Sequence, residues 1–193
     1  MQHTRPTSAI LLVGGFGTRL QPLTYRTPKP MIPVAGIPFT EHQIAKARAA
    51  GITEIVLATS YLAEIFEPHF GGGERFGIKI SYAVEKSALG TGGAIANAAA
   101  LLSGAGPIVV FNGDVLSSHD LQAQMDLHLT GDADATLHLT TVADARAFGV
   151  VEMDGSRILS FNEKMETRPP ALLMPAATSL TEVSSTLFRE IEP

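Results

Sequence analysis

Apolar runs bounded by turn residues recur along the chain, at Ala9–Val13, Glu54–Thr59, Lys79–Val84, Pro107–Phe111 and Ala135–Val142. Each is of strand length and reads as a strand. Between them lie helix-length segments, Pro38–Ala50 and Thr91–Leu102, the first followed by Gly51, a residue suited to closing a helix in the left-handed conformation. A third helix is expected over Ser117–Leu129, with Ser117 or Ser118 as its N-cap, His119 and Asp120 in its first turn, and His119 on the surface. Gly71-Gly72-Gly73 reads as a flexible turn without chemistry. Beyond Pro169-Pro170 the pattern weakens, because Ala171–Thr178 is small and apolar without a period.

Strand and helix thus alternate from Ala9 onward. That order predicts a three-layer α/β domain with a mainly parallel central sheet, and ligands at the carboxyl ends of its strands. A chain of 193 residues suits one such domain, and no repeat or linker interrupts it.

Composition narrows the classes of function. The net charge is −5, from 19 acidic and 14 basic residues without blocks of one sign, so neither nucleic acid nor a membrane surface is an expected partner. Any phosphate site must be local. The absence of cysteine excludes disulfides, thiolate metal sites and cysteine nucleophiles. The apolar run Ser8–Val13 ends in Gly14-Gly15 and lacks the length of a signal peptide, and no stretch approaches the ~18 apolar residues of a membrane span. A soluble, cytoplasmic protein with a loose leader at Met1–Pro6 is expected.

The candidate chemistry begins directly after the first strand, at Gly14-Gly15-Phe16-Gly17-Thr18-Arg19-Leu20, followed by Pro28-Lys29-Pro30. Glycines there allow positive φ and let backbone N–H groups close around phosphate oxygens, with Arg19 and Lys29 adding charge. The loop lacks the third glycine of a dinucleotide fingerprint and the ending of a P-loop, and a tight βα turn would also explain its glycines. Asp114 follows the Ile108–Phe111 run, where it would serve either as a Mg²⁺ ligand or as the cap of the next helix. Glu85 ends a strand, where it is either an acceptor for a base or a solvated terminus beside Lys86.

The longer strings resemble one family. GGFGTRLQPLT followed by TPKPMIPVAG is similar to the signature loop of the sugar-1-phosphate nucleotidyltransferases. The likeness continues in family order through Glu85, Leu89-Gly90-Thr91-Gly92-Gly93, Phe111-Asn112-Gly113-Asp114, Phe148-Gly149-Val150-Val151 and Phe161-Asn162-Glu163-Lys164.

The resemblance implies a Rossmann-like nucleotidyltransferase domain that joins a nucleoside triphosphate to a sugar 1-phosphate and releases pyrophosphate, with Mg²⁺ as cofactor. It implies nucleotide contacts at Gly14, Gly15, Gly17, Thr18 and Arg19, and a base and ribose segment at Glu85, Gly90 and Thr91. It implies catalytic roles for Arg19, Lys29 and Asp114, Asp114 as the metal ligand, and a sugar-phosphate site at Gly149, Glu163 and Lys164. Within the family the strings look most like those of mannose-1-phosphate guanylyltransferases, which implies GTP, mannose 1-phosphate and GDP-mannose. Guanine offers a carboxylate two adjacent donors where uracil and thymine offer one, in keeping with Glu85.

The pattern departs from the family after Lys164. Thr178–Ser184 stands where an Asn-Ala-Gly strand is expected, a second metal-binding Asp is missing, and nothing resembles an appended β-helix. Residues 1–193 are therefore expected to form one nucleotidyltransferase domain, incomplete at its carboxyl-terminal end, with an open sheet edge that favours a homo-oligomer. A nucleotide-binding module without turnover, and a uridylyl- or thymidylyltransferase for another sugar phosphate, are the alternatives.

Overall fold

The computed structural model describes residues 5–104, 106–139, 150–162 and 185–188. Its first unit is built on β1 (Ser8–Leu12), β4 (Glu54–Thr59), β5 (Lys79–Val84), β6 (Ile108–Asn112), β7 (Ala135–Leu137) and β10 (Ser185–Phe188), in the spatial order β5-β4-β1-β6-β10-β7. β5, β4, β1 and β6 run parallel, and β10 lies antiparallel to both β6 and β7. The expected mainly parallel sheet is present.

Alternation along β1 explains the layers, because successive side chains point to opposite faces. Ala9, Leu11 and Val13 join one buried cluster with Ile44 and Ala47 of α1 (Phe39–Ala49), Phe66 and Phe70 of α2 (Phe66–Phe70), and Leu121 and Met125 of α4 (Leu121–Thr130). Ile10 faces the other way, into a cluster with Ala94 and Ala98 of α3 (Gly90–Ala99). Both faces of the sheet are covered, so its central strands read as continuous apolar runs. Among the described residues no helix is long and apolar enough to cross a membrane.

Strand order decides where a ligand can sit. From β1 the chain moves to β4 and β5 on one side, then returns through α3 to β6 on the other side. Register places Leu12 opposite Asn112, so the loops leaving β1 and β6 start side by side. This reversal of strand order opens a crevice at the carboxyl ends, the usual binding place in open α/β sheets.

Helix ends show where local signals were read well and where they were not. α1 closes as expected: Gly51 takes φ 96°, its N–H donates to Arg48 O at 2.9 Å, and Ile52 N–H donates to Ala47 O at 3.1 Å. α4 differs from expectation. Its N-cap is Asp120, whose Oδ1 accepts from Gln122 N at 2.9 Å and Ala123 N at 3.1 Å, satisfying two of the orphan donors of the first turn. Ser117 instead turns inward, where its Oγ accepts from His119 N at 3.2 Å. His119 is not a plain surface residue: its half-buried ring meets Ser117 Oγ at 2.6 Å, Lys46 Nζ at 3.1 Å and Gln124 Oε1 at 3.0 Å. The glycine run at 71–73 is a turn, but a packed one, since a Cβ at Gly73 would sit 2.0 Å from Ile78 O.

β10 was not foreseen. It is four residues long and lies past the stretch where periodicity fades, and its place is defined by pairing with β6, from Ser185 opposite Phe111 to Phe188 opposite Ile108. The expected Ala135–Val142 strand is observed as Ala135–Leu137, with residues from 140 outside the described set.

Two short strands, β2 (Pro33–Val34) and β3 (Ile37–Pro38), form a small hairpin before α1. A second unit spans His138–Ser184; its described part is the antiparallel hairpin of β8 (Val150–Asp154) and β9 (Arg157–Asn162), turned at Gly155 with φ 58°.

Asp120→Ala is expected to cost about 1 kcal/mol in denaturant unfolding, as loss of an N-cap does, while Ser118→Ala stays within about 0.5 kcal/mol. The opposite ranking would return the start of α4 to Ser118.

Candidate active site

The loop after β1 is shaped from below by side chains that hold it in place. Gly15 N–H donates to Ser60 Oγ at 3.3 Å, and Gly17 O accepts from Thr24 Oγ1 at 3.0 Å. Gly17 sits in the left-handed region at φ 57°, and a Cβ there would lie 2.9 Å from Thr24 Cγ2 and 3.1 Å from Lys29 Cβ. Conformation and space both demand glycine. Thr18–Leu20 then forms a 3₁₀ turn that carries the exposed Arg19, and, after another at Leu23–Tyr25, Lys29 opens a third, Lys29–Met31, anchored by the buried Pro30 and Met31.

From the other side, Gly113 N–H donates to Leu12 O at 2.9 Å. Its missing side chain lets the loop after β6 press on β1, since a Cβ there would overlap Leu12 O at 2.4 Å. Asp114 is thereby delivered to Lys29: Oδ2 lies 2.6 Å from Nζ, between residues 85 positions apart. The side chains are 44% and 39% exposed respectively. A pair so open to solvent contributes about 0–1 kcal/mol, so a phosphate for Lys29 and a cation for Asp114 can separate them at little cost. The cap of α4 is Asp120, which removes the capping alternative for Asp114.

These groups line two adjoining lobes of the crevice. One, of about 370 Å³, is walled by Gly14, Gly15, Gly17, Thr18, Arg19, Lys29, Thr91 and Asp114. The other, of about 610 Å³, is walled by Phe16, Ser60, Tyr61, Glu85, Lys86 and Gly90, and shares Leu12, Gly14, Gly15 and Thr91 with the first. Gly90 and Thr91 open α3, whose first-turn N–H groups have no partner within the helix and favour negative charge. Glu85 is half-buried: its N–H donates to Thr59 O at 2.9 Å, and its Oε2 accepts from Leu89 N at 3.3 Å.

The structure thus brings together Gly14, Gly15, Gly17, Thr18, Arg19, Lys29, Glu85, Gly90, Thr91 and Asp114 around one crevice. Gly149, Glu163 and Lys164 lie outside the described residues. Sequence reasoning missed Ser60 and Tyr61, which follow the carboxyl end of β4 and could have been found by that position. Tyr61 packs on Phe16 with ring centroids 5.1 Å apart, and its hydroxyl donates to Thr24 O and Tyr25 O at 3.4 Å.

The donor set bears on the implied metal. Among the described residues no three His, Cys, Asp or Glu side chains converge, and Asp114 is the carboxylate of the smaller lobe. That suits Mg²⁺, which is commonly held by one or two carboxylates with phosphate oxygens and water, and does not suit an ion needing a full protein cage.

The model of the nucleotidyl transferase family matches residues 8–181, from β1 through the hairpin of β8 and β9. The chain belongs to that family. This nucleotidyltransferase chain is 48% identical to mannose-1-phosphate guanylyltransferase of Mycobacterium tuberculosis, over 86% of its own length and 46% of the relative's. It is 37% identical to D-glycero-alpha-D-manno-heptose 1-phosphate guanylyltransferase of Aneurinibacillus thermoaerophilus, over 81% of its length and 67% of the relative's. A solved structure of a candidate glucose-1-phosphate thymidylyltransferase from Bacillus anthracis superposes with a TM-score of 0.79 at 26% identity, covering 94% of this chain and 71% of that one. The chain thus spans about half the length of the mycobacterial relative.

Gly17→Ala is expected to cost about 1–3 kcal/mol in chemical denaturation, the cost of a strained left-handed residue, here aggravated by contact with Thr24 and Lys29. An unchanged denaturation midpoint would mean that the loop is not held in this form.

Proposed function

We propose that the chain carries the nucleotide-binding site of a sugar-1-phosphate nucleotidyltransferase that uses GTP and mannose 1-phosphate and yields GDP-mannose and pyrophosphate. The observation that carries this reading is the convergence of the glycine loop, Lys29 and Asp114 on the crevice between the ends of β1 and β6. The guanylyl specificity of the mycobacterial and heptose relatives, both acting on manno-configured sugar phosphates, supports the choice of substrates. The cytoplasm is the location this reading carries.

In this mechanism a phosphate oxygen of the sugar 1-phosphate attacks the α-phosphorus in line. The bond from the α-phosphorus to its bridging oxygen breaks, and pyrophosphate leaves. Negative charge spreads over the non-bridging oxygens as this happens, and Lys29 and Arg19 are the cations placed to stabilise it. The backbone of Gly14–Gly17 cradles the triphosphate, and Gly90 and Thr91 are assigned to the base and ribose. Asp114 is the residue that would hold a Mg²⁺ ion, which would supply further neutralisation of the phosphates. Glu85, its carboxylate oriented by Leu89 N, accepts from N1–H and N2–H₂ of guanine. Gly149, Glu163 and Lys164 are assigned to the sugar phosphate.

Thermal shifts with Mg²⁺ and each nucleoside triphosphate at equal concentration test the base, because a ligand that binds the folded state stabilises it by an amount that grows with the logarithm of its concentration over its Kd. The largest shift is expected with GTP; a preference for UTP or dTTP overturns the guanylyl assignment in favour of a uridylyl- or thymidylyltransferase. Pyrophosphate release from GTP and mannose 1-phosphate is the second expected result. GTP binding without release would identify a nucleotide-binding module without turnover.

Lys29→Ala should weaken GTP binding only modestly and lower turnover about 10²–10³-fold, as loss of a transition-state contact does. The loss in Asp114→Ala should shrink at high Mg²⁺, with little rescue by Asp114→Asn. Because the two side chains touch, the double variant should lose less than the two single losses combined. Strict additivity in kcat/KM, or an Asp114→Ala protein with wild-type Mg²⁺ dependence, would contradict these assignments.

A further inference from the structure

We propose that one stripe of α1, formed by Thr40, Gln43 and Lys46, sets the spacing between Lys29 and Asp114 and so positions both for the transfer, an inference that rests on the function proposed above. Residues three apart share a helix face, and a helix advances about 4.5 Å over three residues. Each member of the stripe reaches one of the two loops. Thr40 Oγ1 donates to Pro30 O at 2.9 Å, inside the turn that Lys29 opens. Gln43 Nε2 donates to Asn112 O at 2.9 Å and to Val115 O. Lys46 Nζ donates to Ser117 O at 2.7 Å.

Gln43 is the central member. Val115 N–H donates to Asn112 O at 3.3 Å, so residues 112–115 form a turn with Asp114 inside it, and the carbonyls at both ends of that turn meet one amide group. Gln43 is 1% exposed and Thr40 fully buried, beside Ile44 and Ala47 in the apolar layer. Buried polar groups persist where their hydrogen bonds are made, and here the donors are directed to backbone carbonyls of the two loops. Lys29 and Asp114 are thus referenced to the same rigid element, and neither loop can shift alone without breaking a buried hydrogen bond.

The test uses the full chain with Gln43→Met, which keeps the side chain's length but has no donor, Thr40→Val, which keeps its shape, and Thr40→Ser, which keeps the hydroxyl. Two readouts are taken: the ligand-free crystal structure of each variant, and GTP affinity by calorimetry without metal and across a Mg²⁺ titration. Gln43→Met is expected to displace the 112–115 turn and break the Lys29–Asp114 contact. It should raise the Mg²⁺ concentration for half-maximal enhancement of GTP binding on the order of 10–100-fold, while metal-free GTP affinity stays within about twofold. Thr40→Val should shift in the same direction and Thr40→Ser should restore wild-type values. A merely structural role would lower stability without moving the Mg²⁺ midpoint. An intact Lys29–Asp114 contact, or an unchanged Mg²⁺ midpoint, in folded Gln43→Met overturns the proposal; should that variant not fold, Thr40→Val is judged by the same two outcomes. A wild-type chain that binds no GTP would sink the functional proposal, and the ligand-free geometry of the variants would still decide this one.

Discussion

Parallel pairing of β1 with β6 places Leu12 beside Asn112, and every part of the candidate site depends on that adjacency. The two strands are neighbours in space although β2 to β5 and three α-helices intervene in the chain. Their loops leave in the same direction, because parallel strands present their carboxyl ends together. One loop brings glycines and then Lys29, the other brings Asp114, and Gly113 allows the close approach through its bond to Leu12 O. A sheet with β6 elsewhere in its order would keep all of these residues and have no site.

Packing supports this adjacency from both faces. Ile10 and Leu11 are fully buried on opposite sides of β1, so the central strand is held by two helical layers. Near the crevice the apolar layer admits polar side chains: Thr40 and Gln43 on α1, and Thr24 beneath the glycine loop, all buried. Their hydrogen bonds reach the backbone of the loops. The loops therefore need no sheet or helix of their own to stay ordered, and the charged tips of Arg19, Lys29 and Asp114 are left exposed toward the crevice.

How much was legible depended on the range of the interaction. The strands Glu54–Thr59 and Lys79–Val84 were read with the observed bounds: every residue of the first is buried, and the second, an edge strand with Ile80 and Ala83 buried, is marked off by the turn residues before it. The closure of α1 at Gly51 was legible because a left-handed residue is a local demand. The start of α4 was not, because Ser117, Ser118 and Asp120 are all good caps; the inward turn of Ser117 toward His119 and Lys46 left Asp120 to cap the helix. β10 has too few residues to show a period, and its position beside β6 is an interaction between distant segments.

The sequence by itself determined the fold class, the position of the glycine loop, the family likeness and the identities of Lys29, Asp114 and Glu85 as groups of interest. These follow from periodicity, conformational preference and strings of contiguous residues, which are written along the chain. Tertiary structure alone decided that Lys29 and Asp114 form a pair, that Ser60 and Tyr61 wall the larger lobe, and that Thr40 and Gln43 hold the two loops from beneath. A polar residue on the buried face of a helix carries no sign of its partner in the sequence. Its hydrogen bond exists only once the strands have paired and a distant backbone carbonyl has arrived within reach.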